Sequence, residues 1–168
     1  MREAGPYFVR TAARGDLPAV RALLIETWHD TYDSLYGAAR VAEITDAWHS
    51  IAALETRLAK PNCEFVVADS GEEIGGMAFA EALDAGKTVM LHQLYVRPQR
   101  QGRGIGVALL DEMEACFPDA CQIRLEVEEA NGKALAFYDA HGFAQIGRTE
   151  NCGEGGSGIP ALIYEKPL

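Results

Sequence analysis

The run Val89-Met90-Leu91-His92-Gln93-Leu94-Tyr95-Val96, followed past Pro98 by Gln101-Gly102-Arg103-Gly104-Ile105-Gly106, decides how this chain is read. The first eight residues are an apolar, strand-like run that Pro98 stops. From Ile105 to Phe117 the apolar residues Ile105, Leu109, Met113 and Phe117 recur at helical spacing, and Pro118 closes the helix. A glycine-rich turn that opens a helix presents several backbone N–H groups with no side chains in the way. Those donors have no partner inside the helix, and the helix dipole adds positive potential, so the turn suits a phosphate or pyrophosphate. The segment 85–110 contains no Asp or Glu, in a chain of formal net charge -10, and it carries Lys87, Arg97, Arg100 and Arg103. Cleared of acids and supplied with arginines, it predicts an anion site. A solvated basic loop is the plainer alternative.

Outward from this turn, composition narrows the classes. At 168 residues and 48% hydrophobic content the chain is expected to form one domain, residues 1–168, with a single core. No apolar run is long enough to span a bilayer, and Met1 to Pro6 lacks the apolar segment of a secretory signal, so a cytoplasmic location and no membrane partner are expected. Net acidity argues against nucleic acid and suits a cationic small molecule or peptide. Cys63, Cys116, Cys121 and Cys152 show no zinc-ligand spacing and are read as reduced, core-filling thiols, with no metal expected.

Periodicity supplies the elements. A first strand is expected at Tyr7–Arg10. Asp16 caps a helix carrying Leu17, Val20, Leu24 and Trp28, with Pro18 in its first turn. One second helix is expected over Val41–Ala59, with Ile44, Trp48, Ile51, Leu54 and Leu58 on one face. Glu64–Ala68 and Ile74–Glu81, separated by Asp69-Ser70-Gly71, predict a hairpin, and Asp84-Ala85-Gly86-Lys87 turns into the fourth strand. After the third helix come a strand at Ile123–Val127, a short helix over Lys133–His141 and strands at Phe143–Thr149 and Pro160–Lys166. A flexible loop spans Cys152 to Gly158. This order gives a mainly antiparallel sheet with one parallel pair flanking the third helix.

A dinucleotide-binding oxidoreductase is one alternative, since Glu126 lies about twenty residues beyond the glycines, where a ribose-binding acid would fall. The glycines at 102, 104 and 106 give GxGxG and not GxGxxG, and only one parallel βαβ unit is available.

The chain resembles the GNAT superfamily of N-acetyltransferases. The resemblance rests on Gln101, Gly104 and Gly106, on the preceding Leu94-Tyr95-Val96-Arg97-Pro98, and on Asn131, Ala134, Phe137-Tyr138 and Gly142-Phe143 in matching order and spacing. It implies a mixed α/β (α+β) fold with a mostly antiparallel central sheet, about four flanking helices and a strand pair splayed at the cofactor site. A bulge near Gln93 or Leu94 would cause the splaying. It implies transfer of the acetyl group of acetyl-CoA to a primary amine by direct attack in a ternary complex. The amides of Gln101, Gly102, Arg103, Gly104, Ile105 and Gly106 would hold the pyrophosphate. Leu94, Tyr95 and Val96 would run beside the pantetheine arm, Asn131 would bond the cofactor, and Tyr138 would face the sulfur. A homodimer is compatible with the family. A non-catalytic acyl-CoA sensor on the same fold is the alternative.

An amine with pKa about 10.4 is neutral only about once in 2,500 molecules at pH 7, so its proton must be removed before attack. His92 stands where many family members carry Glu and is the first candidate base, against a purely structural strand histidine. Glu81 is the second, and a water chain the third. Tyr138, protonated at neutral pH, is the candidate donor to the leaving thiolate, against a role in packing beside Phe137. Trp28, Tyr32, Asp30 and Asp33 are candidates for the acceptor site. Five acids between Glu26 and Asp46 against the single Arg40 would draw a cation, unless they are an ordinary solvated face. His29, His49 and His141 are read as surface or helix-face residues.

Overall fold

The computed structural model describes residues 6–153 and 157–168. Residues 1–5 and 154–156 lie outside it, and with them the centre of the loop expected between Cys152 and Gly158. The described residues form seven strands in one sheet, in the order β1-β2-β3-β4-β5-β7-β6, and five α-helices. The sheet is mostly antiparallel, with β4 and β5 parallel. No helix among the described residues is long and apolar enough to cross a membrane.

Two compact units make up the chain. The first takes residues up to Phe79 together with Gln93–Cys116. It holds β1 (Phe8–Thr11), α1 (Leu17–Tyr36), α2 (Ala38–Trp48), α3 (Ile51–Ala59), β2 (Cys63–Asp69), most of β3 (Ile74–Leu83), the end of β4 (Thr88–Val96) and α4 (Ile105–Ala115). Its core gathers Leu17, Val20, Leu23 and Leu24 of α1 with Leu54, Phe65, Val67, Met77 and Phe79. The apolar stripe read along α1 is therefore the face that packs. Helix α4 seats on β3 at Gly76, where a Cβ would lie 2.9 Å from Ile105 Cγ2, 2.9 Å from Leu109 Cδ1 and 3.0 Å from the Tyr95 carbonyl. Only a residue without a side chain admits the helix this close.

Two expectations need correction in this unit. The single helix over 41–59 is two helices, because Ser50 accepts from the Ala53 N–H at 3.1 Å and starts α3 afresh. The break turns Ile51 outward, to 37% exposed, and buries His49. With this break the described residues hold five helices, in keeping with the expected count of about four. Asp16 precedes α1 but does not cap it. Its carboxylate turns back to accept from the Ala13 N–H at 2.7 Å and pairs with Arg10 at 2.8 Å.

The second unit takes Ala80–His92 and the residues from Phe117 onward. It holds the β3–β4 turn, β5 (Gln122–Glu128), α5 (Gly132–Ala140), β6 (Ala144–Thr149) and β7 (Ala161–Pro167). Asp84, Ala85 and Gly86 all take positive φ in that turn. The β4–β5 ladder runs from Thr88↔Gln122 to Leu91↔Leu125, although β4 continues to Val96 and β5 to Glu128. Ile123, Leu125 and Val127 are buried on alternate positions of β5, as the alternation with Arg124 and Glu126 predicts.

Candidate active site

In the first unit, the turn Gln101–Gly104 carries β4 into α4. Gly104 occupies the N-cap position in the left-handed region (φ 85°), Gly102 is also at positive φ, and a Cβ at either would meet nothing within 4 Å. Helix α4 has no side-chain cap, and its first main-chain bond runs from the Ala108 N–H to the Gly104 carbonyl at 3.1 Å. Among the described residues no acceptor meets the N–H groups of Gly102, Arg103, Gly104, Ile105, Gly106 or Val107. Bare donors on an open turn fit a diphosphate such as that of coenzyme A. Gln101 contributes differently from its neighbours. Its Nε2 donates to the Val96 carbonyl at 3.1 Å, tying the turn to the strand before it.

The arginines around this turn are mostly committed elsewhere. Arg97 pairs with Glu26 at 3.0 Å, and Gln99 donates to the same carboxylate at 2.6 Å. Arg100 pairs with Glu73 at 2.5 Å, and the Tyr7 hydroxyl donates to that carboxylate too. These donors hold Glu73 below the usual carboxylate range, while burial raises the Tyr7 phenol. Two of the three arginines thus bolt the approach to the turn, and Arg103 stands exposed within it. Charge counted along the sequence could not reveal that neutralisation, because Glu26 and Glu73 lie far upstream.

The acceptor-site candidates in this unit part company. Trp28 and Tyr32 are buried, with ring centroids 4.6 Å apart, and Trp48 (5.6 Å) and His49 (5.8 Å) also stand against Trp28. Asp30, two positions from each along the helix, is exposed. Asp33 bonds His29 at 2.6 Å, and Asp46 pairs with Arg21 at 3.0 Å. With Glu26 engaged as well, three of the five acids already have partners. His49, read from the sequence as a surface or helix-face residue, is buried. Arg57 stands 3.3 Å from its Nδ1 and donates to the Trp48 carbonyl at 2.5 Å. An arginine can only donate, so His49 Nδ1 accepts and the proton sits on Nε2. That Nε2–H and the Trp28 indole N–H are both buried without a partner among the described residues. Burial, and then the Arg57 cation, push the His49 imidazole down to about 3. Helical spacing continues across the break at Ser50 and hid this histidine. The cap signal at Ser50 would have found it.

In the second unit, His92 of β4 and Glu81 of β3, adjacent strands, are joined at 3.0 Å from Nε2 to Oε1. The two rival candidate bases are therefore one hydrogen-bonded pair. Asn131 is the N-cap of α5, its Oδ1 accepting from the Ala134 N–H at 3.2 Å. Tyr138 lies about two turns further along α5, buried, with its ring 5.2 Å from both Phe137 and Phe143. Among the described residues no cluster of His, Cys, Asp and Glu is arranged to hold a metal ion.

The fold and the bare turn together define an acyltransferase class, and a family model for it fits: the acetyltransferase (GNAT) family matches residues 19–143, and the chain belongs to that family. Its relatives include the N-alpha-acetyltransferase RimI of Mycobacterium tuberculosis (strain ATCC 25618 / H37Rv), 38% identical over 106 residues. That match spans 61% of this chain and 65% of the relative, just under two thirds of its length. The peptidyl-lysine N-acetyltransferase YiaC of Escherichia coli (strain K12) is 28% identical over 138 residues, 80% of this chain and 82% of the relative. In fold the chain is similar to the PaiA N-acetyltransferase of Thermoplasma acidophilum, crystallised with coenzyme A. The TM-score is 0.84 at 21% identity, with 96% of this chain and 99% of that one covered.

Proposed function

We propose that the protein is an acetyl-CoA-dependent N-acetyltransferase acting on a primary amine, by direct attack within a ternary complex. The observation that carries this reading is the α4 opening, where six successive N–H groups have no acceptor among the described residues and Gly104 keeps the turn bare. Gln101 to Gly106 grip the diphosphate, and Leu94 to Val96 run beside the pantetheine arm. Asn131 uses its amide nitrogen toward the cofactor while its oxygen caps α5. Tyr138 donates to the departing sulfur, and acetyl-CoA supplies the activated acyl group. His92 and Glu81 deal with the proton of the acceptor amine. One relative is named an N-alpha-acetyltransferase and another a peptidyl-lysine N-acetyltransferase, which favours a peptide α-amine or lysine side chain over a polyamine or aminoglycoside. Trp28 and Tyr32, with Asp30 and Asp33, remain our assignment for its approach. We read residues 1–168 as one transferase domain, working in the cytoplasm with its cysteines reduced.

Thiol release from acetyl-CoA, measured across peptides with free N-termini, lysine peptides, polyamines, aminoglycosides and amino acids, tests the proposal. Turnover is expected with at least one peptide class. Tight acetyl-CoA binding with no turnover on any amine would leave a sensor, not an enzyme.

A further inference from the structure

We infer that Glu81 and His92 act as one proton-handling unit, in which His92 Nδ1 is the base and Glu81 is a positioning residue. This rests on the transferase reading above and assigns the atoms within it. The β3–β4 turn sets the pairing of the two strands. Glu81 stands three residues before that turn and His92 five residues after it, yet their side chains meet at 3.0 Å. The contact is specific in its atoms, Oε1 to Nε2. An ionised carboxylate can only accept, so Nε2 carries the proton and the basic lone pair belongs to Nδ1. Glu81 is the more enclosed partner, its side chain 17% exposed against 36% for His92. The anchored group is thus the carboxylate, and the imidazole is the group presented outward. A base that must meet an incoming amine needs the second arrangement, and a residue that fixes a tautomer needs the first.

The other charged groups on this face are engaged. Position 90 pairs with Arg124 in the β4–β5 register, so Arg124 and Glu126 share the His92 face of the sheet. Arg124 is held by Glu165 at 2.7 Å, and Glu126 accepts from the Gly153 N–H at 2.8 Å. Glu81 therefore faces His92 from β3, and Arg124 and Glu126 face it from β5.

The step balances as follows. The ammonium of the acceptor gives one proton to Nδ1, and its nitrogen lone pair becomes available. That pair forms the new C–N bond at the thioester carbonyl while the C–S bond breaks with its electrons on sulfur, and the nitrogen, now cationic, releases its second proton to give the neutral amide, which replaces the proton that Tyr138 gives to sulfur. Tyr138 supplies a hydrogen bond or a proton to that sulfur, and the proton on Nδ1 leaves to solvent. The resulting imidazolium is stabilised by Glu81 through Nε2–H.

Two sets of measurements test this. Imidazole 15N NMR of the wild-type protein needs no acceptor and reads the tautomer directly. His92 is expected as Nε2–H, and an Nδ1–H tautomer overturns the inference. Kinetics with the best acceptor then separate the roles. His92→Ala is expected to lose about 100-fold or more in kcat, to lose the acidic limb of its pH–rate profile and to recover partly with added imidazole. Glu81→Gln is expected to lose about 10-fold in kcat, to keep that limb and to leave acetyl-CoA affinity unchanged, with Glu81→Asp intermediate. The double variant is expected to be no worse than His92→Ala. Additive losses, an unrescued His92→Ala that keeps its acidic limb, or a severe Glu81→Gln beside a healthy His92→Ala would each overturn the assignment. Turnover with an unaffected His92→Ala sinks this inference alone. An Nε2–H tautomer in a protein that acetylates nothing sinks the transferase reading, and the proton-transfer role with it.

Discussion

Helices α4 and α5 open in opposite ways. Helix α5 begins on Asn131, whose own Oδ1 satisfies a first-turn N–H. Helix α4 begins on Gly104, which has no side chain to offer, and its first-turn donors are left without a protein partner among the described residues. A capped start is complete by itself, and what such a helix can lend to function is a side chain further along, here Tyr138. An uncapped start is incomplete until something anionic arrives, and its contribution is the backbone. On the proposed reading, the contrast places the sulfur donor on α5 and the main grip on α4.

The largest effect expected from that division is on turnover. Tyr138→Phe keeps the ring among Phe137 and Phe143 and removes only the hydroxyl. We expect kcat to fall about 100-fold with acetyl-CoA affinity by calorimetry unchanged. Unaltered turnover would demote Tyr138 to packing and break the contrast at its α5 end. Next is Gly104→Asp, which sets a carboxylate against the donors of α4. Loss of a favourable anion site of about 2 kcal/mol predicts acetyl-CoA binding about 30-fold weaker, with kcat at saturation little changed. Affinity that survives this change would mean that the diphosphate sits elsewhere.

The pH range in which these variants are compared matters, and His49 sets it. Unfolded, its imidazole takes a proton as pH drops below about 6.5, whereas buried beside Arg57 it resists until about 3. Stability is therefore expected to fall as pH drops through that window, by about 1.4 kcal/mol per pH unit. The carboxylates of Asp16, Asp69 and Glu73, held low by their partners, also lose stabilisation on acidification, but only below about 4.5. Between pH 6.5 and 5 His49→Gln should therefore make the slope shallower in urea titrations. A slope unchanged by that substitution would refute the buried neutral histidine. The smallest effect is at the α5 cap. Asn131→Ala should cost about 1 kcal/mol, or about 2–4 °C in Tm, whereas Asn131→Asp keeps an oxygen for the cap and should preserve most of it. If Asn131→Asp keeps its stability but binds acetyl-CoA less tightly, the amide nitrogen reaches the cofactor as proposed.

How much of this was readable beforehand follows from the range of each interaction. The bare turn at 101–106 was legible because glycines, a strand and a helix adjoin in sequence. The alternation of Ile123, Leu125 and Val127 is local in the same sense. Ser50 was overlooked because the apolar spacing of Ile44, Trp48, Ile51 and Leu54 runs through it unbroken, and periodicity outvoted one capping hydroxyl. The pairing of Arg97 with Glu26 and of Arg100 with Glu73 depends on contacts between distant segments, as does the meeting of Glu81 with His92. Residue types named those groups as candidates, but only folding showed which were already occupied and which belonged together.

Gly76 makes no contact that a ligand would feel, yet it decides how deeply α4 sits. A single methyl there would collide with Ile105, the first residue of the helix whose start is the grip, and with the main chain at Tyr95. On the proposed reading, a change at this position on the floor of the sheet is therefore expected to alter cofactor affinity from beneath the turn.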